Sequence, residues 1–135
     1  MMPSKTGVLL ADDDAALLES LRSLLEAEGD LEVVGRARDG VEAIHMAARA
    51  RPQVAILDIT MSGMDGIQAT RRILEASPLT RVLILTAHSA RSYLESALHA
   101  GARGYVLKEA AGHELIAAVR AILAGGRYIS AALKE

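Results

Sequence analysis

The sequence predicts an α/β fold in which a five-stranded parallel sheet is covered by helices on both faces. Five short apolar runs alternate with five segments of helical spacing, and glycine or proline follows each helical segment. The runs are mostly continuous rather than alternating in polarity, as in strands that are buried on both faces. They lie at residues 8–11, 32–37, 54–57, 82–85 and 105–107.

The segments between the runs carry apolar residues three and four positions apart, which is the spacing of one face of a helix. Asp14 or Asp13 is placed to cap the first helix, and Asp39 is placed to cap the second. The apolar stripes span residues 17–25, 41–48, 67–74, 93–98 and 115–123. The residues that punctuate their ends are Gly29, Pro52, Pro78, Gly101 and Gly125.

Strand followed by helix, repeated five times, indicates right-handed crossovers in an open sheet. Dinucleotide-binding and flavodoxin-like sheets are the two common forms at this size, and both bind ligands where the strand order reverses. Three acidic residues follow the first strand, where a nucleotide-binding fold would place a glycine-rich turn. We therefore expect a flavodoxin-like, doubly wound (βα)5 fold with strand order 2-1-3-4-5.

Composition excludes several other classes of protein. The chain has 135 residues, enough for one domain, a net charge of −2, and no cysteine for a disulfide or thiolate site. It has three tyrosines and neither tryptophan nor phenylalanine, which argues against stacking on single-stranded nucleic acid. The near-neutral charge provides no electrostatic footprint for DNA. No apolar run is long enough to span a membrane, and we expect a cytoplasmic protein.

Charged and hydroxyl side chains stand where the predicted strands end. Asp12 and Asp13 follow the first strand, Asp58 follows the third, Thr86 ends the fourth and Lys108 follows the fifth. The carboxyl ends of parallel strands lie on one edge, and strands one and three are neighbours in the expected order. The three aspartates should therefore converge.

Such a cluster of carboxylates requires a positive charge. Two of them ~4 Å apart repel by roughly 1 kcal/mol in water and by several-fold more in a partly buried site. Mg²⁺ resolves the repulsion because it prefers carboxylate, carbonyl and water oxygens. Aspartate also accepts phosphoryl groups, and Lys108, Thr86 and a metal could together neutralise and hold the oxygens of such a group.

Four motifs in this order resemble the receiver domains of two-component response regulators, which have the flavodoxin-like (CheY-like) fold. They are the acidic opening, the strand and loop around Asp58, the strand that ends in Thr86, and the strand that ends before Lys108. Singly each is weak, but together they are specific. They occupy residues 8–14, 54–66, 83–87 and 100–108.

The resemblance implies a role for each residue at the strand ends. Asp58 would be the phosphoacceptor, and Lys108 and Thr86 would contact the phosphoryl group. Tyr105 would be an aromatic switch that turns inward as Thr86 moves.

The resemblance also implies a Mg²⁺ site, with Mn²⁺ able to substitute. Its direct ligands would be Asp13, Asp58 and the backbone carbonyl of Thr60, whereas Asp12 would act largely through water. Thr60 and His88 occupy positions that tune the lifetime of the phosphoryl group.

Residues 109–110 and 125–130 resemble the NarL/FixJ type of response regulator. This implies a receiver domain at residues 1–126, with residues 127–135 starting a linker to a C-terminal helix-turn-helix domain. A sensor histidine kinase would phosphorylate the receiver, which would then switch an output or dimerisation face and so regulate transcription. DNA would be bound only through the C-terminal domain. The receiver would promote its own phosphorylation and dephosphorylation without being an enzyme in the usual sense.

Two residues depart from the pattern of the family. Ser62 stands where a proline is usual and should loosen the loop after Asp58. Glu109, rather than proline, follows Lys108. Two alternatives stay open: a constitutive interaction module that is never phosphorylated, and a small Mg²⁺-dependent phosphatase, for which Thr60 would be a poor acid–base residue.

Overall fold

The computed structural model describes residues 4–133, so residues 1–3 of the expected domain and residues 134–135 of the expected linker lie outside the described residues. Every strand pairing is parallel, and the order is β2-β1-β3-β4-β5-β6. The first five strands confirm the expected 2-1-3-4-5 order. The strands are β1 (Thr6–Ala11), β2 (Leu31–Ala37), β3 (Val54–Leu57), β4 (Arg81–Thr86), β5 (Gly104–Leu107) and β6 (Tyr128–Ile129).

Five helices cover the two faces of the sheet, and β3 and β5 are buried along their whole length. On one face α1 and α5 pack against one apolar cluster, and on the other α2, α3 and α4 pack against a second. This two-sided burial explains why the strand sequences are continuously apolar. The helices are α1 (Ala15–Glu26), α2 (Gly40–Ala50), α3 (Gly66–Ala76), α4 (Arg91–Ala100) and α5 (Ala111–Leu123). Among the described residues, no helix is both long and apolar enough to cross a membrane.

Aspartate side chains begin the first three helices. Of the two candidates for α1, Asp14 is the cap, and its carboxylate accepts a hydrogen bond from the backbone N–H of Leu17 at 3.1 Å. Asp39 caps α2 as expected. Asp65 caps α3 by accepting from two backbone N–H groups. Asp14 is therefore occupied at a helix end, which separates it from the two aspartates before it.

The expected five-stranded sheet omitted β6. Tyr128 pairs with Gly104, and Ile129 pairs with Tyr105, so the chain after α5 returns to the sheet and adds a strand beside β5. A two-residue strand has no detectable period, and its formation depends on the edge that β5 presents. A short 3₁₀ turn, Ala131–Leu133, follows it. The domain boundary at residue 126 stays a prediction.

Arg51 ends α2 in the left-handed conformation, with φ 45° and ψ 60°. This conformation costs a non-glycine residue about 1–2 kcal/mol, a cost that glycine would not have. Part of the stability gained by substituting glycine is lost again because glycine is more flexible in the unfolded chain. We expect Arg51→Gly to raise the free energy of unfolding by about 0.5 kcal/mol in urea titrations followed by circular dichroism. Arg49→Gly, inside the last turn of α2, should instead lower it by about 1 kcal/mol. Equal losses in both variants would contradict this account of the helix end.

Candidate functional site

Three charged side chains meet at the carboxyl ends of β1, β3 and β5. Ala11 lies opposite Leu57 in the pairing of β1 with β3, so Asp12 and Asp58, the residues that follow, emerge side by side. Lys108 leaves the end of β5 and reaches across β4 to both of them. Its Nζ lies 2.9 Å from Asp12 Oδ2 and 2.9 Å from Asp58 Oδ2. The convergence that the strand order predicted is thus present for these three residues.

Asp12 and Asp58 are only 3% and 6% exposed. Their second oxygens accept backbone hydrogen bonds, Asp12 from Asp14 at 2.9 Å and Asp58 from Ile59 at 2.7 Å. Burial raises the pKa of Asp12 above its ordinary value, although the hydrogen bonds from Lys108 and Asp14 oppose the rise. Desolvation acts to lower the pKa of Lys108, but the hydrogen bonds that its ammonium donates to Asp12 and Asp58 outweigh it and leave that pKa raised. Lys108 therefore supplies the positive charge that the two buried carboxylates need.

Asp13 differs from its neighbour because it is exposed at the rim of the site. Within residues 4–133, no three His, Cys, Asp or Glu side chains are grouped closely enough to hold a metal by themselves. The donors predicted from the sequence are the carboxylates of Asp12, Asp13 and Asp58 and the backbone carbonyl of Thr60, and the structure joins Asp12 and Asp58 through Lys108. These are hard oxygen donors, and Mg²⁺ needs only one or two carboxylates because it keeps several waters. The chemistry of the donors therefore suits Mg²⁺ and does not suit a metal that requires nitrogen or sulfur ligands.

Thr86 and Tyr105 are both fully buried, and both bind the backbone of one residue. The Tyr105 hydroxyl donates to the carbonyl oxygen of His88 at 2.7 Å, and the Thr86 hydroxyl accepts from the N–H of His88 at 3.3 Å. Burial, and next the negative charge of Asp58, raise the pKa of Tyr105 to about 12. The tyrosine ring thus occupies the inward position of the expected switch, and the β4–α4 loop joins it to Thr86.

His88 also closes a bridge between two loops. Its Nε2 lies 2.7 Å from Thr60 Oγ1, and its ring stacks on Tyr93 of α4 with centroids 4.3 Å apart. The two residues predicted to tune phosphoryl lifetime are therefore in direct contact, although they are 28 positions apart. Ser62 lies exposed on the same β3–α3 loop as Thr60. Sequence spacing carried no signal for the bridge because it joins loops that follow different strands.

Gly66 is a site residue whose importance the sequence did not reveal. Its N–H donates to the carbonyl of Ile59 at 2.8 Å, so α3 begins directly against the chain that follows β3. A Cβ at this position would lie 1.9 Å from the backbone oxygen of Asp58. The one available signal was a glycine directly after the capping Asp65, where most other residues favour a helix more strongly.

A doubly wound α/β domain whose carboxyl edge joins two buried aspartates to a lysine has the construction of a signalling receiver. The family model described as "Response regulator receiver domain" matches residues 8–120. The chain therefore belongs to the response regulator receiver family. The match spans β1 to α5 and includes all three charged residues of the site.

Individual relatives agree with this assignment. The oxygen regulatory protein NreC of Staphylococcus carnosus is 41% identical over 123 residues, which cover 90% of this chain and 57% of NreC. A LuxR-family response regulator from Aurantimonas sp. SI85-9A1 has a TM-score of 0.92 at 36% identity, covering 96% of this chain and 93% of that one. The receiver domain of the putative response regulator NarL from Mycobacterium tuberculosis has a TM-score of 0.86 at 35% identity, and the match covers 91% of this chain and 99% of that one.

These relatives make the chain a receiver domain of the NarL/LuxR type of response regulator, a component of two-component signal transduction. Proteins of this family are regulators rather than classical enzymes. The chain spans 57% of the length of NreC and 53% of DegU from Brevibacillus brevis, another curated relative.

Proposed function

We propose that Asp58 accepts a phosphoryl group from a sensor histidine kinase and that Lys108 and Thr86 bind the transferred group. The observation that carries this proposal is the contact between Lys108 and Asp58 at 2.9 Å, in a site that Asp12 shares. A carboxylate oxygen of Asp58 attacks the phosphorus, and the bond to the donor's leaving atom breaks. Lys108 offsets the negative charge of the phosphoryl oxygens.

Asp13, Asp58 and the carbonyl of Thr60 would hold Mg²⁺, and Asp12 would act largely through water. Mn²⁺, which also takes oxygen ligands, could substitute. Bound metal supplies charge neutralisation between the carboxylates and the phosphoryl oxygens. The oxygen donors at this edge support the assignment.

Phosphorylation would act by changing the partners of Lys108 and Thr86. Both side chains would turn towards the phosphoryl oxygens, and the β4–α4 loop would follow because the hydroxyl of Thr86 binds the N–H of His88. Tyr105, whose ring is already buried, would hold the shifted loop because its hydroxyl binds the carbonyl of His88. Local charge would thereby bias a two-state element. The bridge between Thr60 and His88 would set how readily water reaches the acyl phosphate, and hence its lifetime.

The partners proposed for the whole protein follow from the relatives. They are a sensor histidine kinase, a C-terminal output domain that binds DNA, and a second copy in a phosphorylation-dependent dimer, and the protein itself would be cytoplasmic. One solved relative is described as an RcsB–DNA complex, of which the matched region covers 66%. Transcription would therefore be regulated through the output domain, whereas the receiver itself binds no DNA.

The test is intact mass after incubation with acetyl phosphate, with and without Mg²⁺. We expect the wild type to gain one phosphoryl group only when Mg²⁺ is present, and Asp58→Asn to gain none. Asp65→Asn is the matched control because it alters another carboxylate of the same loop, one that caps α3. It should be phosphorylated as the wild type is.

If the wild type gains nothing, beryllofluoride decides between two explanations. A rise in melting temperature with beryllofluoride that Asp58→Asn lacks would indicate an acyl phosphate that hydrolyses too fast to collect. No rise would overturn the proposal and favour a constitutive interaction module. Steady hydrolysis of a free phosphomonoester would instead favour the phosphatase.

A further inference from the structure

The chain beyond α5 contributes a buried hydroxyl to the end of β5. Ser130, directly after β6, is fully buried. Its backbone N–H donates to the carbonyl of Tyr105 at 2.8 Å, which continues the pairing of β6 with β5. Its hydroxyl accepts from the N–H of Leu107 at 3.2 Å. Because β6 ends at Ile129, this side chain takes the place of the next strand residue as the partner of Leu107.

Glu114 of α5 fixes the orientation of that hydroxyl. One carboxylate oxygen accepts a hydrogen bond from the Ser130 hydroxyl, and the other accepts from the N–H of Ala131 at 2.9 Å. Desolvation acts to raise the pKa of Glu114, but the hydrogen bonds from Ser130, Ala131 and Tyr128 together leave it below its ordinary value. Because the hydrogen of the Ser130 hydroxyl is used in the hydrogen bond to Glu114, the serine oxygen can accept the hydrogen bond from the N–H of Leu107.

Leu107 is the residue from which Lys108 leaves the sheet. It pairs with Thr86 of β4 on one side and binds the Ser130 hydroxyl on the other. Leu107 is the last of the four residues of β5, so its peptide sets the direction in which the chain leaves the strand. The lysine must reach across β4 to place its ammonium 2.9 Å from Asp58. A small displacement of the Leu107 peptide would therefore move the ammonium group at the end of the Lys108 side chain.

We propose that Ser130, oriented by Glu114, is a positioning residue for Lys108. The inference rests on the proposed role of Lys108 in phosphorylation. Ser130 makes no hydrogen bond to Asp12 or Asp58, and it acts by fixing the peptide that precedes the lysine. The receiver's phosphorylation site is then incomplete without residues beyond α5, and the chain that leaves the domain is bonded to the strand that carries Lys108.

The test compares Ser130→Ala with Ser77→Ala. Ser77 is also buried, and its hydroxyl binds that of Thr80 at 2.7 Å, next to the start of β4 at the opposite edge of the sheet. Each variant therefore removes one buried serine hydroxyl. We expect Ser130→Ala to slow phosphorylation at saturating acetyl phosphate and Mg²⁺ by about tenfold, because small displacements of a group that contacts the reacting atoms are costly. Ser77→Ala should keep the wild-type rate.

The second measurement is the affinity for Mg²⁺, obtained from the dependence of melting temperature on its concentration. A positioning role predicts a slower rate with an affinity within about twofold of the wild type, because Lys108 is not a metal ligand. Glu114→Gln provides an independent variant that creates no cavity. It should give an intermediate rate because the amide keeps a single acceptor oxygen.

Equal rates in Ser130→Ala and Ser77→Ala would overturn the positioning role. A fall in rate matched by an equal fall in Mg²⁺ affinity would also overturn it, because that pattern indicates general damage to the site. Should Ser130→Ala fail to fold, a wild-type rate in Glu114→Gln would reject the proposal and a slower rate at unchanged Mg²⁺ affinity would support it. The proposed function fails in a different way, since the wild type itself would then show neither a Mg²⁺-dependent adduct nor a response to beryllofluoride.

Discussion

Lys108→Met is expected to lower the free energy of unfolding of the metal-free protein by about 3 kcal/mol, the cost of leaving buried charges without their partner. Methionine keeps an apolar side chain but lacks the ammonium that lies 2.9 Å from each of two carboxylates. The side chains of Asp12 and Asp58 are only 4% and 7% exposed, so water can replace little of the lost interaction. Urea unfolding in the presence of a chelator measures the change.

The matched control is Lys5→Met, which removes the charge of an exposed lysine. It should change the free energy of unfolding by less than about 0.5 kcal/mol. Adding Asp58→Asn to Lys108→Met should restore much of the stability because one of the two buried charges is removed. Equal losses in the two lysine variants would show that Lys108 contributes no more than a surface charge.

The cost of losing Lys108 depends on pH in a direction set by Asp12. Burial already raises the pKa of Asp12, and the hydrogen bond from Lys108 is the largest influence that lowers it. Removing Lys108 should therefore raise the pKa of Asp12 further. A carboxyl whose pKa is raised on folding favours the folded state when protonated, so that stabilisation is present below the unfolded pKa and is lost as pH rises through the folded pKa. The stability gap between Lys108→Met and the wild type should therefore narrow as pH falls from neutrality towards ~4, the ordinary pKa of aspartate. A gap that widens over this range would contradict the account.

Gly66→Ala should destabilise the fold by about 3 kcal/mol or more. The added Cβ would lie 1.9 Å from the backbone oxygen of Asp58, 2.8 Å from its carbonyl carbon and 2.9 Å from the Cα of Ile59. All three are backbone atoms, so no side-chain rotation relieves the overlap. Either the start of α3 or the end of β3 must move, and the second of these carries Asp58. Thermal unfolding should show a markedly lower melting temperature.

Gly112→Ala is the control for Gly66→Ala because both glycines lie in the first turn of a helix. A Cβ at Gly112 meets nothing within 4 Å. Alanine favours a helix more than glycine, so this variant should gain about 0.5 kcal/mol. Opposite signs in the two variants would identify the contact with Asp58 as the cause. Similar small changes in the stability of both variants would show that the backbone after β3 can move to accommodate the added Cβ.

The sequence alone determined the class of fold and the edge of the sheet that carries the site. Periodicity is a local property, so alternating strands and helices and their ends could be recognised one segment at a time. Right-handed crossovers then placed Asp12, Asp58, Thr86 and Lys108 at one edge before any distance was known. The four motifs together indicated the family, and each could be recognised because its residues are neighbours in the chain.

Only the tertiary structure decided which of these groups touch. Lys108 binds Asp12 and Asp58 together, while Asp13 is left exposed. His88 meets Thr60, and Ser130 completes the end of β5. Each of these contacts joins segments at least 23 positions apart. Local patterns specify where an element begins and which face is apolar, whereas contacts of a few ångströms depend on how all the elements pack at once.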